Sequence, residues 1–202
     1  MAVSGKQADG GFGDRQRCPR GKKRLGTAKP VTESGAYTLT GTAQSSSVPF
    51  FEPELGEEEV TAAAAAIRSG WVTSGPGCAE FEETFRAYTG AAHALAVNSG
   101  TAAMHLALAA LGIGPGDEVI TTPLTFCATV NVILQTGATP VLADVGTDLN
   151  LDPRRVEAAT TARTRAILPV HIAGLPCDMD ALWGIAARHG LAIVEDAAHA
   201  AG

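Results

Sequence analysis

Between residues 93 and 195 the chain alternates short strand-like segments with helix-length segments, and this alternation limits the possible folds more than any other feature. Strands are predicted at His93–Val97, Glu118–Thr121, Thr139–Ala143, Arg165–Val170 and Leu191–Glu195. The segments between them are too long for tight hairpins, so the strands must run parallel. Because parallel sheets are buried on both faces, the sequence predicts an α/β fold with a mostly parallel sheet and helices on both faces.

The helices are predicted from their periodicity and their end signals. Leu55–Ser69 has acidic residues in its first turn and an alanine run before Gly70, and Cys78–Tyr88 places its aromatic residues on one face before Gly90. Further helices are predicted after Asn98-Ser99-Gly100 and at Thr125–Gln135, Pro153–Ala159 and Met179–His189.

Charge divides the chain into two parts. Residues 1–48 carry eight Lys/Arg against three Asp/Glu, a net charge of +5, whereas residues 49–202 carry seven against eighteen, a net charge of −11. Residues 1–48 are rich in Gly, Ser and Thr and contain one Phe and one Tyr, which is typical of a disordered extension and not of a nucleic-acid-binding module. The folded domain is therefore expected over residues 49–202.

The composition argues against several classes of protein. No run of 18 apolar residues is present, and the first 30 residues lack the apolar centre of a secretory signal, so we expect no membrane anchor and a cytoplasmic location. The four cysteines form no CxxC pair, which argues against a disulfide framework or a zinc knuckle. His171 and Cys177 are isolated in sequence, and no metal site is predicted.

Ligands of open parallel sheets bind beyond the carboxyl ends of the strands, so the residues there are the candidates for a site. Gly100 and Thr101 open a helix after the first predicted strand, where free N–H groups would suit a phosphate. Taken alone, however, a Ser or Thr at this place is better explained as a helix cap. Phe126 begins the next helix, and its ring could stack on a flat cofactor or simply belong to the core.

The last predicted strand ends in Glu195-Asp196, followed three residues later by His199. Strand alternation sends the two acids to opposite faces, so only one of them can face a given ligand. A carboxylate at this place could hold a pyridinium nitrogen protonated. A metal site and a helix cap at Asp196 are the alternatives.

Taken in order, seven motifs resemble the DegT/DnrJ/EryC1/StrS family of sugar aminotransferases. The motifs are WVTSGP from Trp71, FE at Phe81, NSGTAA from Asn98, PLTF from Pro123, Asp144 with NLDP from Asn150, HIAG from His171 and EDAAHA from Glu195. The resemblance covers residues 49–202. It implies the large domain of a fold-type-I transferase that depends on pyridoxal 5'-phosphate.

The resemblance also implies roles for individual residues. Gly100 and Thr101 would hold the cofactor phosphate, Phe126 would stack on the pyridine ring, Asp196 would pair with the ring nitrogen, and His199 would lie near the ring hydroxyl. Thr73 and Ser74 would lie on the substrate side. Members of the family form homodimers and move an amino group from glutamate or glutamine to a keto group of a nucleotide-linked sugar.

The sequence departs from the family in one respect. Covalent catalysis with this cofactor needs a lysine amine, and the only lysines are Lys6, Lys22, Lys23 and Lys29. In the family the lysine follows the EDAAH motif, so we expect it beyond Gly202 and the domain to be incomplete here.

Three other functions are compatible with parts of the pattern. A sugar dehydratase of the same fold has histidine in place of the lysine, and a non-catalytic regulator or partner could keep the scaffold without it. A nicotinamide-binding domain is disfavoured because the first predicted strand is followed by Asn98-Ser99-Gly100-Thr101 and not by G-x-G-x-x-G.

We expect the 202-residue chain, mixed with pyridoxal 5'-phosphate and then treated with borohydride, to gain no covalent cofactor adduct within residues 49–202, because this part contains no lysine. Mass spectrometry of the intact chain and of its peptides measures this. A cofactor adduct trapped within residues 49–202 would contradict the prediction.

Overall fold

The computed structural model describes residues 53–200, which divide into two compact units between Ala94 and Leu95. The extension predicted over residues 1–48 lies outside the described residues. Among residues 53–200 no helix is long and apolar enough to cross a membrane.

The first unit contains two helices, α1 (Glu57–Ser69) and α2 (Pro76–Thr89). In α1 the N–H of Gly56 donates to Glu59 Oε2 at 2.7 Å, and the helix ends where Gly70 takes a left-handed conformation with φ +78°. Proline at its first position favours the start of α2. Both predicted helices are confirmed, with their bounds moved by one or two residues.

The second unit alternates helices and strands as the sequence predicts. Its elements are α3 (Gly100–Ala110), β1 (Glu118–Thr121), α4 (Cys127–Gln135), β2 (Thr139–Leu142), α5 (Pro153–Ala159), β3 (Thr164–Leu168), α6 (Met179–His189) and β4 (Ala192–Ile193). Side chains cap three of these helices: Ser99 accepts from the N–H of Ala102, Asp152 from that of Arg154 and Asp178 from that of Ala181.

The four strands form one sheet in the order β2-β1-β3-β4, and every pairing is parallel. Strand β1 lies in the middle, with Ile120 opposite Val141 on β2 and opposite Ile167 on β3. An isolated parallel bridge between Val170 and Asp196 continues the β3–β4 pairing beyond the strand ends.

Alternating residues of the strands build a core on each face of the sheet. Val119, Ala166 and Leu168 pack with residues of α3 and α4 on one face. Ile120 and Ile167 pack with residues of α5 and α6 on the other. The predicted parallel sheet with helices on both faces is confirmed, and the alternation follows from the twofold repeat of side chains along a strand.

One predicted strand is absent. Residues His93–Val97 form no strand within the described part of the chain, where the sheet contains only β1 to β4. A strand is stabilised by its pairing partner, and apolar alternation does not supply one. The division between the two units falls inside this segment.

Two leucines of α3 test the packing on the first face. Leu108 is fully buried, whereas Leu106 is 52% exposed. We expect Leu108→Ala to lower the free energy of unfolding by about 2–5 kcal/mol, because it leaves a cavity in a packed core. The matched variant Leu106→Ala, with the same change in helix propensity, should change it by less than about 0.5 kcal/mol. Urea unfolding measures both, and equal losses would contradict this account of the core.

Candidate functional site

The candidate site lies at the carboxyl ends of the strands, next to β1 and β3. From β1 the chain passes through α4 on one face to β2, and from β2 it passes through α5 on the other face to β3. The strand order therefore reverses at β1, which is where open α/β sheets form their ligand crevice. Thr121 Oγ1 donates to the carbonyl oxygen of Leu168 at 2.8 Å and joins the two strand ends.

A cavity of about 50 Å³ occupies this place. Its wall combines residues that follow β1, β3 and β4, namely Thr125, Phe126, Val170, His171, Ile172, Asp196, Ala198 and His199. The cavity brings together three of the residues predicted from the sequence: Phe126, Asp196 and His199.

Asp196 is buried, and both its backbone and its carboxylate are held in place. Its N–H donates to the carbonyl oxygen of Pro169 at 2.9 Å, and its own carbonyl oxygen accepts from the N–H of His171 at 3.1 Å. The carboxylate accepts the hydroxyl of Thr129 at Oδ2 (2.9 Å) and the N–H of Ala198 at Oδ1 (3.3 Å). A buried carboxylate needs such donors, because an unpaired one is strongly disfavoured. The arrangement presents a fixed negative charge at the cavity wall.

Phe126 has the opposite character. It is the N-cap residue of α4, and 76% of its surface is exposed although it lines the cavity. The sequence left open whether Phe126 stacks on a cofactor or belongs to the core. Within the described residues 53–200, Phe126 is not part of the core. An exposed aromatic face beside a carboxylate is suited to a flat, electron-poor ring.

Gly100 and Thr101 do not line the cavity. They open α3, and Ser99 Oγ accepts from the N–H of Ala102 as a helix cap. A Cβ atom added at Gly100 would meet no atom within 4 Å. Within residues 53–200, close packing therefore gives no reason for glycine at this position, and the phosphate role stays a prediction.

Thr73 and Ser74 belong to the first unit and are exposed. The carbonyl oxygen of Thr73 accepts from Cys78 Sγ at 3.8 Å. Their predicted substrate role is likewise untested.

His171 is part of the cavity wall that the sequence analysis did not assign. Its Nδ1 accepts the N–H of Cys177 at 3.2 Å, so the neutral ring carries its proton on Nε2, which lies 3.0 Å from Glu195 Oε2. Of the two acids, Asp196 lines the cavity, whereas Glu195 does not line it and bonds to His171. The thiol of Cys177 is buried, and burial raises its pKa.

His171 and Cys177 are isolated in sequence, and the fold brings the His171 ring next to the backbone N–H of Cys177 and to the carboxylate of Glu195. Even so, no group of three or more His, Cys, Asp or Glu side chains within residues 53–200 could hold a metal ion. Only the order of β3 and β4 in the sheet, which the sequence does not specify, brings Glu195 to His171.

Asn150 holds the turn that follows His171. Its amide nitrogen donates to the carbonyl oxygens of Leu175 (3.1 Å) and Pro176 (3.2 Å), and its oxygen accepts from the N–H of Ile172 (3.3 Å). The turn then approaches His199 at Gly174, which has φ +85°. A Cβ atom at Gly174 would lie 2.9 Å from the carbonyl oxygen of His199.

The chain is similar to known proteins in sequence and in fold. The model of the DegT/DnrJ/EryC1/StrS aminotransferase family matches residues 53–202. The spore coat polysaccharide biosynthesis protein SpsC of Bacillus subtilis (strain 168) is 54% identical over 154 residues, which are 76% of this chain and 40% of that protein.

Solved structures of other proteins are also similar to this chain in fold and in sequence. The crystal structure of S. venezuelae DesV in complex with a ketimine intermediate matches with a TM-score of 0.68 and 51% identity, covering 71% of this chain and 40% of DesV. NtdA from Bacillus subtilis with bound cofactor PMP matches with a TM-score of 0.67 and 37% identity, covering 70% of this chain and 33% of NtdA. The chain spans about 40% of the length of SpsC. The predicted fold-type-I large domain, present in part, is confirmed.

The contact between Gly174 and His199 can be tested with a matched glycine. Gly190 also has a positive φ, +66°, but a Cβ atom there would meet nothing within 4 Å. We expect Gly190→Ala to cost about 1–2 kcal/mol of unfolding free energy for the left-handed backbone alone. Gly174→Ala should cost about 1–3 kcal/mol more, because the new methyl group overlaps a carbonyl oxygen. Equal shifts of the two variants in urea unfolding would show that the close approach has no energetic effect.

Proposed function

The chain belongs to the DegT/DnrJ/EryC1/StrS aminotransferase family, and we propose that it supplies the ring-binding part of the cofactor site in a sugar aminotransferase. The proposed reaction moves an amino group from glutamate or glutamine to a keto group of a nucleotide-linked sugar. The observation that carries the proposal is the cavity in which the buried carboxylate of Asp196 lies beside the exposed ring of Phe126.

The residues on the cavity wall fit pyridoxal 5'-phosphate. The carboxylate of Asp196, fixed by Thr129 and Ala198, would hold a proton on the ring nitrogen. Phe126 would cover one face of the ring, and His199 would lie beside the ring hydroxyl. When bound, the cofactor supplies the electron sink that amino-group transfer requires.

The other residues of the proposal lie outside the cavity wall. Gly100 and Thr101 would bind the phosphate through the first N–H groups of α3, where the helix dipole favours an anion. Thr73 and Ser74 would contact the amino donor or the sugar. We propose that the aminotransferase acts as a homodimer. The cytoplasmic location stays a prediction from the sequence.

The relatives support this reaction class. SpsC is a spore coat polysaccharide biosynthesis protein, and DesV is crystallised with a ketimine intermediate. A sugar dehydratase of the same fold is distinguished by its product, because dehydration removes water from the sugar and leaves no nitrogen on it.

We expect the complete protein that carries this sequence to transfer nitrogen from ¹⁵N-labelled glutamate or glutamine to a nucleotide-linked keto sugar. Asp196→Asn should lower kcat/KM by about 100-fold or more, the scale on which loss of one preorganised electrostatic group acts. The matched change Asp180→Asn, in an exposed residue of α6, should leave kcat/KM unchanged. Mass spectrometry of the product measures both, and a dehydrated product without label would contradict the proposal.

A further inference from the structure

Two hydroxyl groups connect the cavity wall to the buried carboxylate. Thr125 Oγ1 and Thr129 Oγ1 lie 2.7 Å apart, and Thr129 Oγ1 donates to Asp196 Oδ2 at 2.9 Å. Thr125 is half-buried and lines the cavity, whereas Thr129 is fully buried in the first turn of α4. Thr125 precedes Phe126, the N-cap residue of α4, so its hydroxyl reaches Thr129 across the start of this helix.

The chemistry of the groups fixes the direction of this chain of hydrogen bonds. An ionised carboxylate only accepts, and a hydroxyl has one proton to donate. Thr129 therefore uses its proton on Asp196 and accepts from Thr125. The series of hydrogen bonds therefore runs from Thr125 through Thr129 to Asp196, and each group in it depends on the one before it.

This series of hydrogen bonds also connects Asp196 to helix α4. The backbone of Asp196 is held by residues that follow β3, Pro169 and His171, while its carboxylate is held at Oδ2 by Thr129 of α4 and at Oδ1 by the N–H of Ala198. Backbone anchoring alone leaves the side-chain torsions free to rotate. The hydroxyl of Thr129, together with the N–H of Ala198, thus selects one rotamer of the carboxylate, and Phe126 is the N-cap residue of the same helix as Thr129.

We propose that Thr129 is a positioning residue, supported by Thr125, that aims the carboxylate of Asp196 at the ring nitrogen of the cofactor. This inference rests on the proposed function. Thr129 acts only through Asp196 and does not touch the ring. The hydrogen bond has a charged acceptor and is buried, so its loss should matter more than that of an exposed one.

The test measures binding of pyridoxamine 5'-phosphate to the complete protein, because this cofactor form needs no lysine to bind. We expect Thr129→Val, which keeps the volume and removes the hydroxyl, to weaken binding about 10- to 100-fold, from the typical worth of a hydrogen bond to a charged group. It should also change the absorbance spectrum of the bound ring. Thr129→Ser restores the hydroxyl and should restore both affinity and spectrum.

Two comparisons separate positioning from general stability. Thr139→Val makes the same change in an exposed strand residue and should leave affinity and spectrum as in the parent protein. In the Asp196→Asn background, Thr129→Val should weaken binding by less than about 3-fold, because the group on which it acts is gone.

Three results would overturn the inference: Thr129→Val matching Thr139→Val, Thr129→Ser failing to restore the spectrum, or equal effects of Thr129→Val with and without Asp196. Failure of the proposed function gives a different result, because the parent protein itself would then not bind pyridoxamine 5'-phosphate, and both proposals would be wrong. Circular dichroism of each variant identifies loss of folding. If Thr129→Val does not fold, the comparison of Thr129→Ser with the parent protein still tests the inference.

Discussion

The parallel pairing of β1 with β3 is the interaction on which the rest of the structure depends. Both strands are central in the sheet, and their side chains alternate between two cores, so a shift of one residue would exchange the faces of Val119 and Ile120. The same pairing brings the segments after both strands to one edge, where Thr121 bonds to Leu168. Strand β4 pairs with β3 through two residues, and a bridge between Val170 and Asp196 continues this pairing.

At this edge the fold resolves the problem of a buried charge with contacts made by the chain itself. Asp196 has donors from α4 and from its own turn, and its backbone is bonded on both sides to the segment after β3. The carboxylate is therefore oriented before any ligand arrives. Such preorganisation is what electrostatic catalysis needs, since no reorganisation remains to be done when charge develops.

The success of the sequence analysis follows the range of the interactions involved. Strand β1 and helices α5 and α6 have the predicted bounds, because local signals define them: Asp152 and Asp178 cap the two helices, and Gly190 ends α6. The strand predicted at His93–Val97 is wrong because it required a distant partner. The contact of His171 with Glu195 and the approach of Gly174 to His199 could not be predicted, since both depend on which strands are neighbours. The role of Gly174 had one local sign, a glycine two residues before a proline, and that pattern is common in ordinary turns.

The two ends of the proposed cofactor site are built on different principles. At the ring end, the wall comes from three segments that the sheet holds together, and a side-chain network links them. At the phosphate end, α3 offers the N–H groups of its first turn, with Ser99 bonded to one of them. Helix N–H groups recognise any anion of suitable size, whereas a fixed carboxylate beside an aromatic face recognises a protonated ring. Specificity for one cofactor should therefore reside at the ring end, where the hydrogen bonds from Thr125 to Thr129 and from Thr129 to Asp196 lie.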